Sequence, residues 1–158
     1  MIERLQAPWR YVESSAILAL LLTEQPIQDS IEPIFTTPQR TLTSVLTLIE
    51  CQRTVFRAQA QRRLDSVEAD SARFRLARFA EHCNIVQLDE SVIARASESF
   101  GDDLIRTLDA IHVASAIIAR RGLGPIEFVS LDHRVRAVAA SSGFSVLPVQ
   151  LTTPSPRR

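Results

Sequence analysis

The chain has 158 residues, of which 46% are hydrophobic and 23% are charged, and 18 basic side chains balance 18 acidic ones. This length and composition fit one globular domain with its own hydrophobic core, and they exclude a chain that is disordered throughout. A formal net charge of zero excludes a global field that attracts nucleic acid, so any nucleic-acid site must be a local patch.

Two further features bear on where the chain acts. Cys51 and Cys83 form no CxxC motif and have no nearby histidine pair, which argues against a zinc site and favours two buried free thiols in a reducing compartment. The longest apolar run, residues 16–22, is too short to span a bilayer, and residues 1–10 lack the form of a signal peptide. We therefore expect a cytoplasmic protein with no membrane contact.

The first half of the chain predicts two strands and four helices. The elements are a strand ending at Val12, a helix from Ser14 or Ser15 to Leu22, a helix from about Pro26 to Phe35, a strand over 40–43, a long helix capped by Ser44, and a helix over 63–82. The apolar stripes of the last two helices are predicted at Leu46, Ile49, Val55 and Phe56, and at Leu64, Val67, Phe74, Leu76, Ala77 and Phe79.

The second half continues the alternation. It predicts a strand over 84–88, a helix that Asp89 caps, a helix that Asp102 or Asp103 caps and that runs to Arg121, a strand over 126–131, a helix over 132–142 and a strand over 145–149. The strand over 126–131 is almost continuously apolar, as in a strand that is buried on both faces. Strands that alternate with helices favour a parallel sheet covered by helices on both sides.

Acidic residues fall where an open parallel sheet binds its ligands, at the carboxyl ends of the strands. Glu13 closes the first strand and Asp132 follows the fourth, while Glu50 and Asp109 lie in the helices after the second strand and before the fourth. Asp109 is the least ordinary, because it lies in the apolar segment LDAIHVASAI, where a carboxylate without a partner is costly. Grouped carboxylates suit Mg²⁺ or Mn²⁺, and such clusters clamp a phosphodiester and activate a water.

Each of these acids also has an ordinary explanation. Glu13 and Glu50 fit positions that face solvent. Asp109 fits an ion pair with Arg106 one turn earlier, and Asp132 fits a helix N-cap. These explanations lose weight because all four acids fall at one edge of the predicted sheet.

Four segments resemble, in order and separation, the signature segments of PIN domains: YVESSAILALLL, TSVLTLIE, RTLDAIHVASAI and FVSLDHRVRAVAASSGFSV. The resemblance covers about residues 10–149 and is greatest to the VapC-type toxins of bacterial toxin–antitoxin systems. It implies an α/β/α sandwich with a central, mostly parallel sheet and a Mg²⁺- or Mn²⁺-dependent endoribonuclease. It also divides the chain into an N-terminal extension (1–9), a PIN domain (10–150) and a flexible C-terminal tail (151–158).

The resemblance assigns roles to individual residues. The catalytic and metal-binding acids would be Glu13, Glu50, Asp109 and Asp132. Ser15 and Ser130 match the small hydroxyl positions that support the site, and His112 is expected to be a core or supporting residue. Candidate RNA contacts are Arg53, Arg57 and Arg134, whose alternative is solvation or pairing with an antitoxin. The implied partners are an RNA substrate, a cognate antitoxin whose tail plugs the acidic site, and a second copy of the chain in a homodimer.

One departure from the family pattern concerns the first acid, which is normally aspartate and here is Glu13. The extra methylene moves the carboxylate outward, and Mg²⁺ demands near-ideal octahedral geometry, so the change weakens the site or favours Mn²⁺. The alternative is a degenerate PIN domain that binds RNA or a protein partner without cleavage. A receiver-like module would need a lysine, which the sequence lacks, and neither GxGxxG nor GxxxxGK[ST] occurs in it.

Overall fold

The computed structural model describes residues 7–22, 25–37, 39–101 and 104–151. Strands and helices alternate along these ranges as β1 (Trp9–Val12), α1 (Ser14–Leu22), α2 (Gln25–Thr36), β2 (Arg40–Ser44), α3 (Val45–Ala60), α4 (Ser66–Glu81), β3 (Asn84–Val86), α5 (Glu90–Ala96), α6 (Thr107–Leu123), β4 (Ile126–Val129), α7 (His133–Ser141) and β5 (Ser145–Leu147). Residues 152–158 of the tail predicted to be flexible and most of the predicted N-terminal extension lie outside the described residues.

The strands form one five-stranded sheet in the order β3–β2–β1–β4–β5, and every pair is parallel. The chain adds β2 and β3 on one side of β1 and then β4 and β5 on the other. The carboxyl ends of β1 and β4 therefore border the crevice in which such sheets bind ligands. Val12 pairs with Val129, so the next residues, Glu13 and Ser130, are neighbours at this crevice.

Hydrophobic layers on both faces hold β1 in place. Tyr11, Leu42 and Phe128 share one rung of the sheet and pack with residues of α5, α6 and α7. Val12 and Val129 point to the other face and pack with residues of α1 to α4, because successive side chains of a strand alternate between faces. Full burial of each large side chain contributes about 1.5–3 kcal/mol. The predicted α/β/α sandwich is thus confirmed.

Helix caps account for several of the helix starts. Ser44 accepts a hydrogen bond from the Thr47 amide and Asp89 from the Val92 amide, as the sequence predicts. Asp65 and Glu68 form a capping box, which begins α4 at residue 66 rather than 63.

The predicted start of α6 is wrong. Asp102 and Asp103 lie outside the described residues, and the helix begins only at Thr107. Arg106, the N-cap residue, has an extended backbone (φ −74°, ψ 151°), so the helix does not reach back to the predicted caps. As a result, Asp109 lies in the first turn of α6.

The predicted apolar stripes are only partly correct. Leu46 and Val55 of α3 are buried, but Ile49 and Phe56 lie on the opposite face of the helix and are exposed. In α4 the small residues Ala69 and Ala72 pack inward with Leu76 instead, which leaves an exposed set of Val67, Phe74 and Ala77. Stripe positions read off the sequence do not show which side of a helix meets the core.

The remaining expectations concern strand ends, thiols and membranes. β3, β4 and β5 each end two residues before the predicted boundary. Cys51 is buried as predicted and Cys83 is only partly buried, and both are free thiols. Within the described ranges, no helix is long and apolar enough to cross a membrane.

Candidate active site

A pocket of about 350 Å³ opens at the carboxyl ends of β1 and β4. Its walls come from the residues after β1, the middle of α3, the first turn of α6 and the start of α7. All four acids predicted from the sequence line it, namely Glu13, Glu50, Asp109 and Asp132. The fold thus brings together carboxylates that are up to 119 positions apart in the chain (132 minus 13).

Glu13 is the most deeply buried of these acids, with 4% of its surface exposed. Ser14 Oγ donates a hydrogen bond to Oε1 at 2.5 Å, and Ser15 Oγ and Ser130 Oγ donate to Oε2 at 2.5 and 2.8 Å. Hydrogen bonds to an ionised acceptor are roughly twice as strong as neutral ones. Three hydroxyls therefore hold the carboxylate of Glu13 in one orientation.

Ser15 and Ser130 are themselves held by the backbone that leaves β4. Ser15 Oγ accepts a hydrogen bond from the Leu131 amide at 2.8 Å, and Ser130 Oγ accepts one from the Asp132 amide at 3.1 Å. The two hydroxyl oxygens lie 3.2 Å apart. The chain turns away from the sheet after Val129, so these amides bond to serine hydroxyls and not to a neighbouring strand, and β4 ends there.

Asp132 has two structural roles. It is the N-cap of α7, and its Oδ1 accepts hydrogen bonds from the amides of Arg134 and Val135 at 2.8 and 3.4 Å. The same residue lines the pocket. The N-cap explanation and the active-site explanation are therefore compatible, because the cap fixes the carboxylate at the rim of the pocket.

Asp109 is partly buried, and its pKa is raised, first by burial and then by the nearby charge of Asp132. Arg106, which also lines the pocket, offsets only part of this rise. Leu108, the residue before it in this apolar segment, is exposed. The pKa of Asp109 is therefore raised mainly because its carboxyl is withdrawn from water, with Asp132 as the next largest cause.

Glu50 makes the contact that the sequence did not predict. Its Oε2 lies 2.6 Å from Nε2 of His112, and the same nitrogen lies 3.9 Å from Oε1 of Glu13. Burial raises the pKa of Glu50, but the hydrogen bond and charge of His112 and the hydroxyl of Ser14 together hold it below its usual value. His112 is 1% exposed, in line with its expected place in the core. The feature of the sequence that placed His112 near the site was its position one turn after Asp109.

The predicted RNA contacts occupy different surfaces. Arg134 is exposed and lines a second pocket of about 480 Å³, which shares Asp109 with the acidic pocket. Arg53 lines a groove between α3 and α4, and Arg57 is exposed one turn further along α3. Arg106, considered from the sequence only as a partner of Asp109, is the arginine on the wall of the acidic pocket itself.

The residues of the pocket fit a hard divalent cation. Carboxylate oxygens are the ligands that Mg²⁺ and Mn²⁺ prefer, and four carboxylates line this one pocket. Glu13 and Glu50 each place a carboxylate oxygen within 4.8 Å of the other, next to the imidazole of His112. Asp109 and Asp132 add further carboxylates on the same walls.

Comparisons with known proteins agree with this architecture. The family model described as PIN domain matches residues 10–141. The chain is 31% identical over 137 residues to Ribonuclease VapC46 of Mycobacterium tuberculosis, which covers 87% of this chain and 95% of that protein. It is 31% identical over 138 residues to Ribonuclease VapC47 of the same species, covering 85% and 92%.

Two solved structures share the fold at low sequence identity. A toxin–antitoxin complex from Klebsiella pneumoniae matches with a TM-score of 0.58 and 14% identity, over 87% of this chain and 95% of that chain. A structure of FitAB bound to an IR36 DNA fragment matches with a TM-score of 0.63 and 16% identity, over 86% and 92%. At these identities the likeness establishes the fold alone.

Proposed function

The chain belongs to the PIN-domain family and is a VapC-like member of it, and from this we propose that it is a metal-dependent endoribonuclease, the toxin of a toxin–antitoxin pair that acts in the cytoplasm. One observation carries the proposal. Four carboxylates from four separate segments of the chain line a single pocket at the crevice between β1 and β4. The two curated relatives are named ribonucleases, which supports RNA as the substrate.

Glu13, Glu50, Asp109 and Asp132 are the residues that would hold one or two divalent ions. When bound, Mg²⁺ or Mn²⁺ supplies Lewis acidity at the phosphate and lowers the pKa of a coordinated water. The protein contributes the orientation of the carboxylates. The serine hydroxyls fix Glu13, and the first amides of α7 fix Asp132. Ser15 and Ser130 are therefore positioning residues.

The RNA strand needs positive charge beside these acids. Arg106 on the pocket wall and Arg134 on the adjoining pocket are the nearest candidates for phosphate contacts. Arg53 and Arg57 extend the face of α3 that carries Glu50 and would contact the strand further from the cleaved bond. Without a cation, the carboxylates of the pocket repel a phosphodiester.

An antitoxin is the second proposed partner. Its support is the family resemblance and the toxin–antitoxin complex among the structures that share the fold. An arginine from the antitoxin would neutralise the acidic pocket in place of a cation. Ile49, Phe56 and Phe74 leave exposed apolar surface on α3 and α4, in the half of the chain where we expect a protein interface, either with the antitoxin or in a homodimer.

Cleavage of a mixed RNA pool tests the proposed function. Antitoxin-free protein is incubated with Mg²⁺, with Mn²⁺ and with EDTA, and Asp109→Asn is the matched variant because it keeps the shape of the side chain. We expect cleavage that requires metal and is lost in the variant. Intact RNA under every condition, from wild-type protein shown to be folded by circular dichroism, would instead support a PIN domain that binds without cutting.

A further inference from the structure

His112 occupies an unusual place for a core histidine, since it contacts one of the proposed metal-binding acids directly. Its Nε2 lies 2.6 Å from Glu50 Oε2. A carboxylate only accepts hydrogen bonds, so the imidazole carries a proton on Nε2 and donates it to Glu50. The imidazole is 1% exposed and the Glu50 side chain is 23% exposed, so this bond is largely shielded from water.

The other edge of the imidazole is also held. Nδ1 lies 3.2 Å from the Tyr11 hydroxyl and 3.5 Å from the Thr47 hydroxyl. Tyr11 is fully buried, and burial raises the pKa of its phenol, so the hydroxyl keeps its proton. The ring is thus fixed at both nitrogens by residues of β1 and α3, while His112 itself belongs to α6.

Glu50 needs such a constraint. It is a long side chain on the pocket-facing side of a helix, and a free glutamate loses rotamer entropy when it is ordered. Glu13, the other long acid, is held by serines, and Asp132 is held by backbone amides. Glu50 is held by His112 and, more weakly, by Ser14.

We propose that His112 is the residue that positions Glu50 in the metal site: its Nε2–H bond fixes Glu50 for the cation, and Tyr11 and Thr47 fix the imidazole. The inference rests on the proposed function, because it assigns Glu50 to the metal. It adds a chain of contacts from β1 through α6 to α3 that sets the orientation of this acid. Partners that hydrogen-bond to metal ligands typically contribute 10–100-fold in metal affinity.

The test measures Mn²⁺ binding by electron paramagnetic resonance and calorimetry, without RNA. His112→Leu removes the donor, His112→Gln keeps a donor at the position of Nε2, and Tyr11→Phe removes one support of the ring. We expect His112→Leu to weaken Mn²⁺ binding by about 10–100-fold, His112→Gln to stay within a few-fold of wild type, and Tyr11→Phe to lie between them. The exposed His82→Gln is the matched control and should bind like wild type.

Each outcome decides something different. Mn²⁺ affinity that is unchanged in folded His112→Leu overturns the positioning role. Nitrogen hyperfine coupling to bound Mn²⁺, present in wild type and lost in His112→Gln, also overturns it, because His112 would then be a ligand. If His112→Leu fails to fold, His112→Gln and Tyr11→Phe still give the comparison. If wild-type protein binds Mn²⁺ and leaves RNA intact, only the proposed ribonuclease activity is refuted. If wild-type protein binds no Mn²⁺, both the ribonuclease activity and the positioning role of His112 are refuted.

Discussion

Shortening Glu13 to aspartate tests whether the site is intact or decayed. The carboxylate of Glu13 accepts hydrogen bonds from Ser14, Ser15 and Ser130 at 2.5–2.8 Å. Removing one methylene withdraws it by about 1.5 Å, the length of one carbon–carbon bond. At least one of the three contacts then exceeds hydrogen-bonding range and leaves a buried hydroxyl without its charged partner.

The expected effect follows from the strength of such bonds. A hydrogen bond to a charged group contributes about 1.5–3 kcal/mol net, so the loss of one lowers the free energy of unfolding by about 2 kcal/mol. For a domain of this size, that loss lowers Tm by about 4–8 °C. We also expect the rate of RNA cleavage to fall by about 10-fold or more, because the carboxylate no longer lies where the serines held it.

The assay combines differential scanning fluorimetry with cleavage of a fluorescent RNA at saturating Mn²⁺. Ser130→Ala removes one donor and keeps Glu13, so it should lower Tm in the same direction. Glu90→Asp, on the exposed first turn of α5, is the matched shortening and should leave Tm within about 1–2 °C of wild type. If Glu13→Asp cleaves RNA faster than wild type without loss of Tm, the expected role of the serine contacts is refuted, and a degenerate site in the wild-type chain is supported.

Three further predictions concern binding, packing and pH. RNA binding by Arg134→Gln is measured by fluorescence anisotropy in the Asp109→Asn background. The variant should bind RNA more weakly, and the slope of log Kd against log salt should fall by about 0.7. An unchanged slope argues against a phosphate contact. Arg10→Ala should lower the free energy of unfolding by about 2 kcal/mol in urea titrations. In the wild type the Arg10 guanidinium lies 2.7 Å from the partly buried Glu127 carboxylate, and the variant leaves this carboxylate without its partner. An unchanged urea midpoint would contradict this prediction. Burial raises the pKa of Cys51 and of Cys83 to about 12, so the folded chain keeps protons that the unfolded chain releases, and stability should fall as the pH rises from 9 towards 12. Burial also raises the pKa of Tyr11, which adds to the fall above pH 10. Replacing both thiols by serine should therefore make the fall less steep in urea titrations, and an equally steep fall would exclude the thiols as a cause.

Strand and helix order followed from the sequence because strong local signals agree with the fold. Continuous apolar runs predict buried parallel strands, and Ser44 and Asp89 are caps whose side chains form the expected bonds. The start of α6 was predicted wrongly because a local signal competed with packing. Asp102 and Asp103 have the chemistry of caps, but Ile105 packs against the core and the backbone is still extended at Arg106, so the helix starts at Thr107.

The candidate site was predictable in its composition and not in its contacts. The four acids fall at strand ends or on adjoining helices, and the topology then brings them to one crevice. The bond between His112 and Glu50 joins α6 to α3 across 62 positions, and no periodicity in the sequence encodes that distance. The serine contacts of Glu13 combine a local part, visible as ESS in the sequence, with a distant part at Ser130, which was expected only from the family resemblance.

Anomalous diffraction from crystals soaked in Mn²⁺ tests most directly whether the four acids form one metal site. We predict a manganese peak inside the pocket, with Glu50 and Asp109 among its ligands, and loss of that peak in crystals of Asp109→Asn. A pocket that stays empty at millimolar Mn²⁺ in wild-type crystals, or a peak that Asp109→Asn leaves unchanged, would show that the four acids do not form one metal site.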